Sequence, residues 1–179
     1  MSILHLIKNR ASVAQMKMLP CVNMDEIKMA FEGITATPVH GKIIPYKFVV
    51  FGGDSLNAGR KALYAVKADK YDAYECFMEK FGGVGVFIFV FCKKIESKIP
   101  DYEQEWSTAL ATYSVQLSLE ELGYVTKWNS IYKDAKYVNN LLDKCGLDNT
   151  YTTMGYVMVG GGDKTPKERA SYTDFVDFK

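Results

Sequence analysis

Arg10 and Ser12, two positions apart behind a short apolar stretch, are the first residues with chemistry to offer. A guanidinium presents a rigid fork of donors and a serine hydroxyl adds another, a set suited to a phosphate. The same two residues also read as a helix C-terminal cation and a turn residue. His40 follows Thr37-Pro38-Val39 in a proline-bounded loop. The only other histidine is His5, too far away in sequence for a histidine-based metal site. Cys21, Cys76, Cys92 and Cys145 form no CxxC pair and read as reduced thiols, so metal catalysis is set aside. Glu103 and Glu105 would sit at i and i+2 of a helix and point apart, so they read as first-turn acids and not as a hydrolytic pair. The run from Gly160 to Arg169 (GGGDKTPKER) lacks the GxxxxGK[ST] spacing. It reads as a mobile turn, with Lys164, Lys167 and Arg169 as candidate phosphate contacts.

The elements that must position these residues follow from capping signals and apolar spacing. Ser2 caps a short helix through Asn9, with Leu4, Leu6 and Ile7 supplying apolar contacts. Asn23 with Glu26 forms a capping-box variant opening a helix that carries Met24, Ile27, Phe31 and Ile34. Tyr46 to Phe51 is a strand, and Asp54 caps a helix through Ala68. A further helix spans Tyr74 to Phe81. Val84 to Cys92 is apolar on both faces, as a fully buried central strand must be. Asp101 to Leu122 is a long helix with Trp106, Leu110, Tyr113 and Leu117 on one apolar stripe, stopped by Gly123. A short strand from Tyr124 to Trp128, a helix from Tyr137 to Lys144 and a last strand from Thr152 to Val159 complete the core. The tail keeps alternating apolar residues after the last core strand, which implies that it packs on another subunit as an exchanged arm over about 170–179.

With 179 residues the chain is most economically one domain, 1–179, large enough to bury a core without metals or disulfides. Its 22 basic and 21 acidic residues nearly cancel, so nothing draws it to nucleic acid or to an anionic membrane. The longest apolar run is far short of the roughly 18 residues a spanning helix needs, and the N-terminus resembles no signal peptide. A cytoplasmic protein is expected. No strand is followed by a GxGxxG turn, which argues against a dinucleotide-binding βαβ fold.

Several segments, in order, resemble the nitroreductase family, in particular its small single-domain members. Asn9-Arg10-Ala11-Ser12, followed by Pro20, resembles the family's Arg-Arg-Ser...Pro entry. Thr37-Pro38-Val39-His40, followed by Pro45-Tyr46-Lys47-Phe48-Val49-Val50, resembles the subgroup's Ala-Pro-Asp-His...Gln-Pro-Trp-Arg-Phe-Phe-Val stretch. The stretch from Pro100 to Ser107 (PDYEQEWS), the long helix, Leu122-Gly123 and Trp128-Asn129-Ser130 are similar to its Trp-Glu-Gln-Glu-Met-Ser helix, Gly turn and Trp-Arg-Ser strand end. Gly155 to Gly160 (GYVMVG) matches the closing Gly-x-x-x-x-Gly strand.

The resemblance implies an α+β, nitroreductase-like fold: a central, mostly antiparallel sheet flanked by helices, in a homodimer with a domain-swapped C-terminal arm. It implies FMN at the subunit interface, NAD(P)H as electron donor and a ping-pong reduction of nitroaromatics, quinones or similar small electron-poor acceptors. Arg10, Ala11 and Ser12 fall where the family holds the phosphate, and His40 where a partner-contributed histidine meets the flavin. Ala36 lies close by, and Trp128, Asn129 and Ser130 fall against the ring and ribityl chain. No side chain is assigned as catalytic. Ala11, Ala36 and Asn129 stand where the family carries arginine, and Ile44 where it carries glutamine. Each lost hydrogen bond to a polar or charged group is worth roughly 1–3 kcal/mol, so weak FMN affinity or a shifted redox potential is expected. A flavin-binding or flavin-less dimeric scaffold with a non-catalytic binding role is the alternative these departures motivate.

Overall fold

The computed structural model describes residues 2–19, 22–131, 135–164 and 175–176. Its helices are α1 (Ile3–Asn9), α2 (Met24–Met29), α3 (Leu56–Lys67), α4 (Tyr74–Phe81), α5 (Asp101–Glu121) and α6 (Ala135–Cys145). Its strands are β1 (Tyr46–Gly52), β2 (Val86–Lys93), β3 (Val125–Asn129) and β4 (Tyr151–Gly160). The strands form one sheet in the order β1-β2-β4-β3, antiparallel throughout. No described helix is long and apolar enough to cross a membrane.

The register follows from β2, whose side chains alternate between two cores. Val86, Ile88 and Val90 pack with Ile27, Ala30, Val115 and Leu119, under α2 and α5. Phe87, Phe89 and Phe91 pack with Leu63, Phe77, Phe81 and Leu141, under α3, α4 and α6. All six are 0% exposed. Fully burying a side chain of this size contributes about 1.5–3 kcal/mol, so a one-residue slip, which would exchange the two faces, is strongly disfavoured.

Several caps differ from the expected ones. Ser2 does accept the His5 N–H, at 3.2 Å. Of the apolar residues assigned to α1, however, only Leu6 is buried, while Leu4 and Ile7 are exposed. Asn23 caps α2 through the Asp25 N–H, at 3.0 Å, but Glu26 does not return the bond. The Tyr124 hydroxyl intervenes, accepting the Asn23 N–H at 3.2 Å and donating to Glu26 Oε2 at 2.6 Å. The segment around Phe31 and Ile34 leaves α2 and tightens into a 3-10 turn, Glu32–Ala36. Before α3, Ser55 and not Asp54 supplies the capping side chain: its hydroxyl accepts the Gly52 N–H at 3.1 Å and donates to the Gly52 carbonyl at 2.9 Å.

The largest correction concerns α5. Trp106 and Leu110, expected on the core stripe, are 61% and 48% exposed. The buried face is instead Gln104, Ser107, Thr108, Ala111, Thr112, Val115, Gln116, Leu119 and Glu120. Two of its buried hydroxyls are satisfied within the helix. Thr108 donates to the Gln104 carbonyl at 2.9 Å and Thr112 to the Thr108 carbonyl at 2.8 Å. Because a buried polar group is costly only when unpaired, apolar periodicity alone misidentified the inner face. The C-terminal arm expected over about 170–179 lies outside the described residues except for exposed Phe175 and Val176.

Candidate functional site

Arg10 closes α1, its N–H donating to the Leu6 carbonyl at 3.0 Å. Its guanidinium Nη1 reaches Ser12 Oγ at 3.4 Å. From there the chain runs beside the sheet: Ser12 pairs with Thr126 in a parallel bridge, and the Val13 N–H donates to the Thr126 carbonyl at 3.2 Å. Lys17 and Gly161 exchange backbone hydrogen bonds at 2.9 and 3.2 Å. The Arg10–Ser12 element thus lies against Thr126 of β3, the strand that ends at Trp128-Asn129.

Within that strand end the three candidate residues differ. Trp128 turns into the α5-side core, donating from Nε1 to the Met154 carbonyl at 3.1 Å. Asn129 Nδ2 donates to the Lys127 carbonyl at 3.3 Å, and Ser130 is exposed. Asn129 is placed by a neighbour: Gly155 has φ 110° at a register shift between β2 and β4, and a Cβ there would run into the Asn129 carbonyl oxygen. Only glycine meets both demands, a bulge conformation and a close backbone approach.

Beneath this edge lies a buried polar group. Glu120 is 3% exposed, and its Oε1 accepts from Thr126 Oγ1 at 3.2 Å. Gln116 Nε2 donates to that same hydroxyl at 3.1 Å, and Lys164 forms an ion pair with Glu120. Of the glycine run before Lys164, Gly161 is bridged to Lys17, and the stretch from 165 to 169 lies outside the described residues. Lys167 and Arg169 lie outside the described residues.

A cleft of about 600 Å³ opens two residues beyond Ser12, lined by Ala14, Gln15, Tyr71, Cys76, Glu79 and Lys80. Behind it the Lys67 ammonium stands 5.3 Å from the centroid of the Tyr156 ring. Burial first, and then the charges of Lys70, Lys80 and Lys127, push Lys67 down to about 8. The Tyr156 phenol is pushed far above its ordinary range by burial and by Tyr71. Sequence reasoning missed this group, because α3, α4 and β3 bring its members together over sixty positions and no local motif marks them.

Ala36 and His40 are not brought to this site. The turn that carries Ala36 is anchored beside β1, Tyr46 Oη donating to the Ile34 carbonyl at 3.1 Å. His40 opens a tight turn through Gly41 and Lys42, with φ 60° and 64°, and its Nδ1 lies 2.5 Å from Glu103 Oε2. Glu103 therefore does more than favour the start of α5, since it ties that helix to the His40 loop. β1 and β3 are opposite edges of the sheet, three inter-strand spacings of roughly 4.8 Å apart.

No protein-family model matches the chain. A Haemophilus influenzae protein described as "Putative NAD(P)H nitroreductase" is 28% identical over 166 residues, spanning 89% of this chain and 88% of that protein. Among solved structures, a nitroreductase-like family protein from Bacillus cereus superposes with TM-score 0.83 at 21% identity, covering 100% of this chain and 96% of its own. An FMN and NADPH-dependent nitroreductase from Sphigopyxis sp. strain HMH superposes with TM-score 0.77 at 19% identity, covering 100% and 99%. In fold over its whole length, and in sequence over most of it, the chain is similar to the nitroreductase family.

Proposed function

We propose that the protein is an FMN-dependent oxidoreductase that draws reducing equivalents from NAD(P)H and delivers them to small electron-poor acceptors such as nitroaromatics or quinones. The observation that carries this reading is that Arg10 and Ser12 lie against Thr126 of the edge strand β3, with a cleft lined by Ala14, Gln15, Tyr71, Glu79 and Lys80 close after them in the chain. The residues present fit the group. A guanidinium and a hydroxyl suit its phosphate, and a cleft bordered by Tyr71, Gln15 and Lys80 suits a planar, polar ring. The stated cofactors of the Sphigopyxis enzyme, which has this fold, support the same assignment.

When bound, the flavin supplies the two-electron carrier that no side chain offers. The chain's own residues bind and orient it. Arg10 and Ser12 would hold the phosphate, and the backbone of Asn129, held by Gly155, and of Ser130 would border the ring and ribityl chain. The cleft opens to solvent, which would admit NAD(P)H and an acceptor in turn, as a ping-pong cycle requires. Ala11, Ala36, Ile44 and Asn129 offer fewer donors than the family pattern, and modest FMN affinity is the consequence.

The assembly is a homodimer. Ile3, Leu4 and Ile7 of α1 and Tyr102, Trp106 and Leu110 of α5 are exposed, and α1 packs on α5. A contiguous apolar face on two adjacent helices fits a second copy. That copy would bring its own Ala36 and His40 to the site. The chain, read as one cytoplasmic domain, is tested as purified protein mixed with FMN, NAD(P)H and a quinone or nitroaromatic. A yellow, reductant-consuming dimer supports the enzyme, and a colourless dimer that ignores FMN supports the scaffold.

A further inference from the structure

The segment 12–17 is held at both ends by backbone pairing. At its start Ser12 bridges to Thr126 of β3, and the Val13 N–H donates to the Thr126 carbonyl at 3.2 Å. At its end Lys17 exchanges backbone hydrogen bonds at 2.9 and 3.2 Å with Gly161, the first residue after β4, and the Lys17 ammonium pairs with Asp163 at 2.5 Å. One carboxylate reaches both partners. Glu120, in the last turn of α5, has a side chain that is 0% exposed. Its Oε1 accepts from Thr126 Oγ1 at 3.2 Å, and its Oε2 meets, among the described residues, only the Lys164 ammonium. Gln116 Nε2, one turn earlier on α5, donates to the same Thr126 hydroxyl at 3.1 Å, which leaves that hydroxyl's own proton for Glu120.

The two ion pairs of the 161–164 stretch differ in kind. Lys17 and Asp163 are both exposed, and a solvated pair of this sort holds little. Glu120 is buried, and taking away its cation would strand a charge that water cannot reach. The stretch therefore cannot lift from Glu120 without a penalty, and Glu120 cannot shift without releasing Thr126. We propose that Glu120 is a positioning residue of the FMN site. It touches no ligand. It fixes the chain from Arg10 to Lys17 for the phosphate by clasping together the two stretches that pair with that chain, Thr126 on β3 and 161–164 after β4. This role rests on the FMN reading given above. Lys164, a candidate phosphate contact by its sequence, is thereby committed to Glu120 instead.

The test uses the intact chain, with FMN and riboflavin as the two probes, and compares wild type with E120M, K164M and K164R. For E120M, FMN binding weakens about tenfold, the loss expected for one misplaced hydrogen bond to a charged group, while riboflavin binding stays within about twofold of wild type. K164M matches E120M, the double variant is no worse than either, and K164R, which restores the cation, binds FMN as wild type does. Equal losses for both flavins in E120M, or no loss for either, overturn the inference and leave the FMN reading standing. So does a loss of FMN binding in K164M that E120M does not share, since Lys164 would then meet the phosphate itself. Wild-type protein that binds no FMN overturns both. Should the methionine variants fail to fold, amide exchange in E120Q decides, because this variant keeps an acceptor for Thr126 but no charge for Lys164. Protection of the Val13 and Lys17 amides falls about tenfold while that of Phe87, Phe89 and Phe91 holds, and unchanged protection at Val13 and Lys17 contradicts the proposal.

Discussion

Ser12 and Thr126 are partners in a parallel bridge, and the Val13 N–H donates to the Thr126 carbonyl at 3.2 Å. The pairing locks the candidate phosphate-binding segment onto the strand that ends in Trp128-Asn129-Ser130. Geometry set by two backbone groups survives substitution of the Arg10 and Ser12 side chains, so those side chains can be tested without losing the fold.

Replacing Arg10 with alanine removes a donor fork to a charged group, worth about 1.5–3 kcal/mol, and weakens FMN binding roughly 10- to 100-fold. Riboflavin, which lacks the phosphate, binds R10A and wild type alike. Parallel fluorescence titrations with the two flavins check this, and equal losses for both would assign Arg10 to the ring or to folding.

Gly155→Ala forces a Cβ against the Asn129 carbonyl at φ 110°. Strain and overpacking of this kind together cost roughly 2–4 kcal/mol. A lower urea midpoint with an unchanged slope is expected, and a variant as stable as wild type would show that the bulge does not constrain Asn129.

The exposed α5 stripe predicts a separable oligomerisation defect. Trp106→Glu places a charge in the apolar face without touching the core, since Trp106 is 61% exposed. Light scattering after size exclusion should give a monomer whose far-UV circular dichroism matches wild type. A W106E dimer would move the interface elsewhere.

Lys67 predicts a pH effect on the apoprotein. Its folded pKa, about 8, lies below its ordinary value, so the unfolded chain binds more protons between the two. The charged lysine destabilises the fold at neutral pH, and that penalty is released as pH rises from about 8 toward the ordinary lysine range. K67M is expected to be more stable than wild type near pH 7, with the difference narrowing near pH 10. Urea midpoints at the two pH values measure it, and a pH-independent difference would show that Lys67 titrates normally.

The elements were legible where one local signal dominates. The strand around Phe87–Phe91 announced itself by being apolar on both faces, and the glycines after Phe81, Leu122 and Cys145 marked the ends of their helices. The inner face of α5 was not legible, because Thr108, Thr112 and Gln116 are buried by hydrogen bonds that hydropathy cannot register. The site was half legible. Arg10, Ser12 and Asn129 were found as motif positions and do lie on one edge. The His40–Glu103 contact spans 63 positions, and the lysines that act on Lys67 come from three other elements, so neither leaves a spacing to read. They come together only after the sheet order is known.

The measurement closest to the central claim is a titration of purified apoprotein with FMN, followed by flavin fluorescence. Saturable quenching at one FMN per chain, reduced in R10A, is the predicted result. Fluorescence that stays unquenched at FMN in large excess over protein would contradict the account, leaving a nitroreductase-like fold without its cofactor.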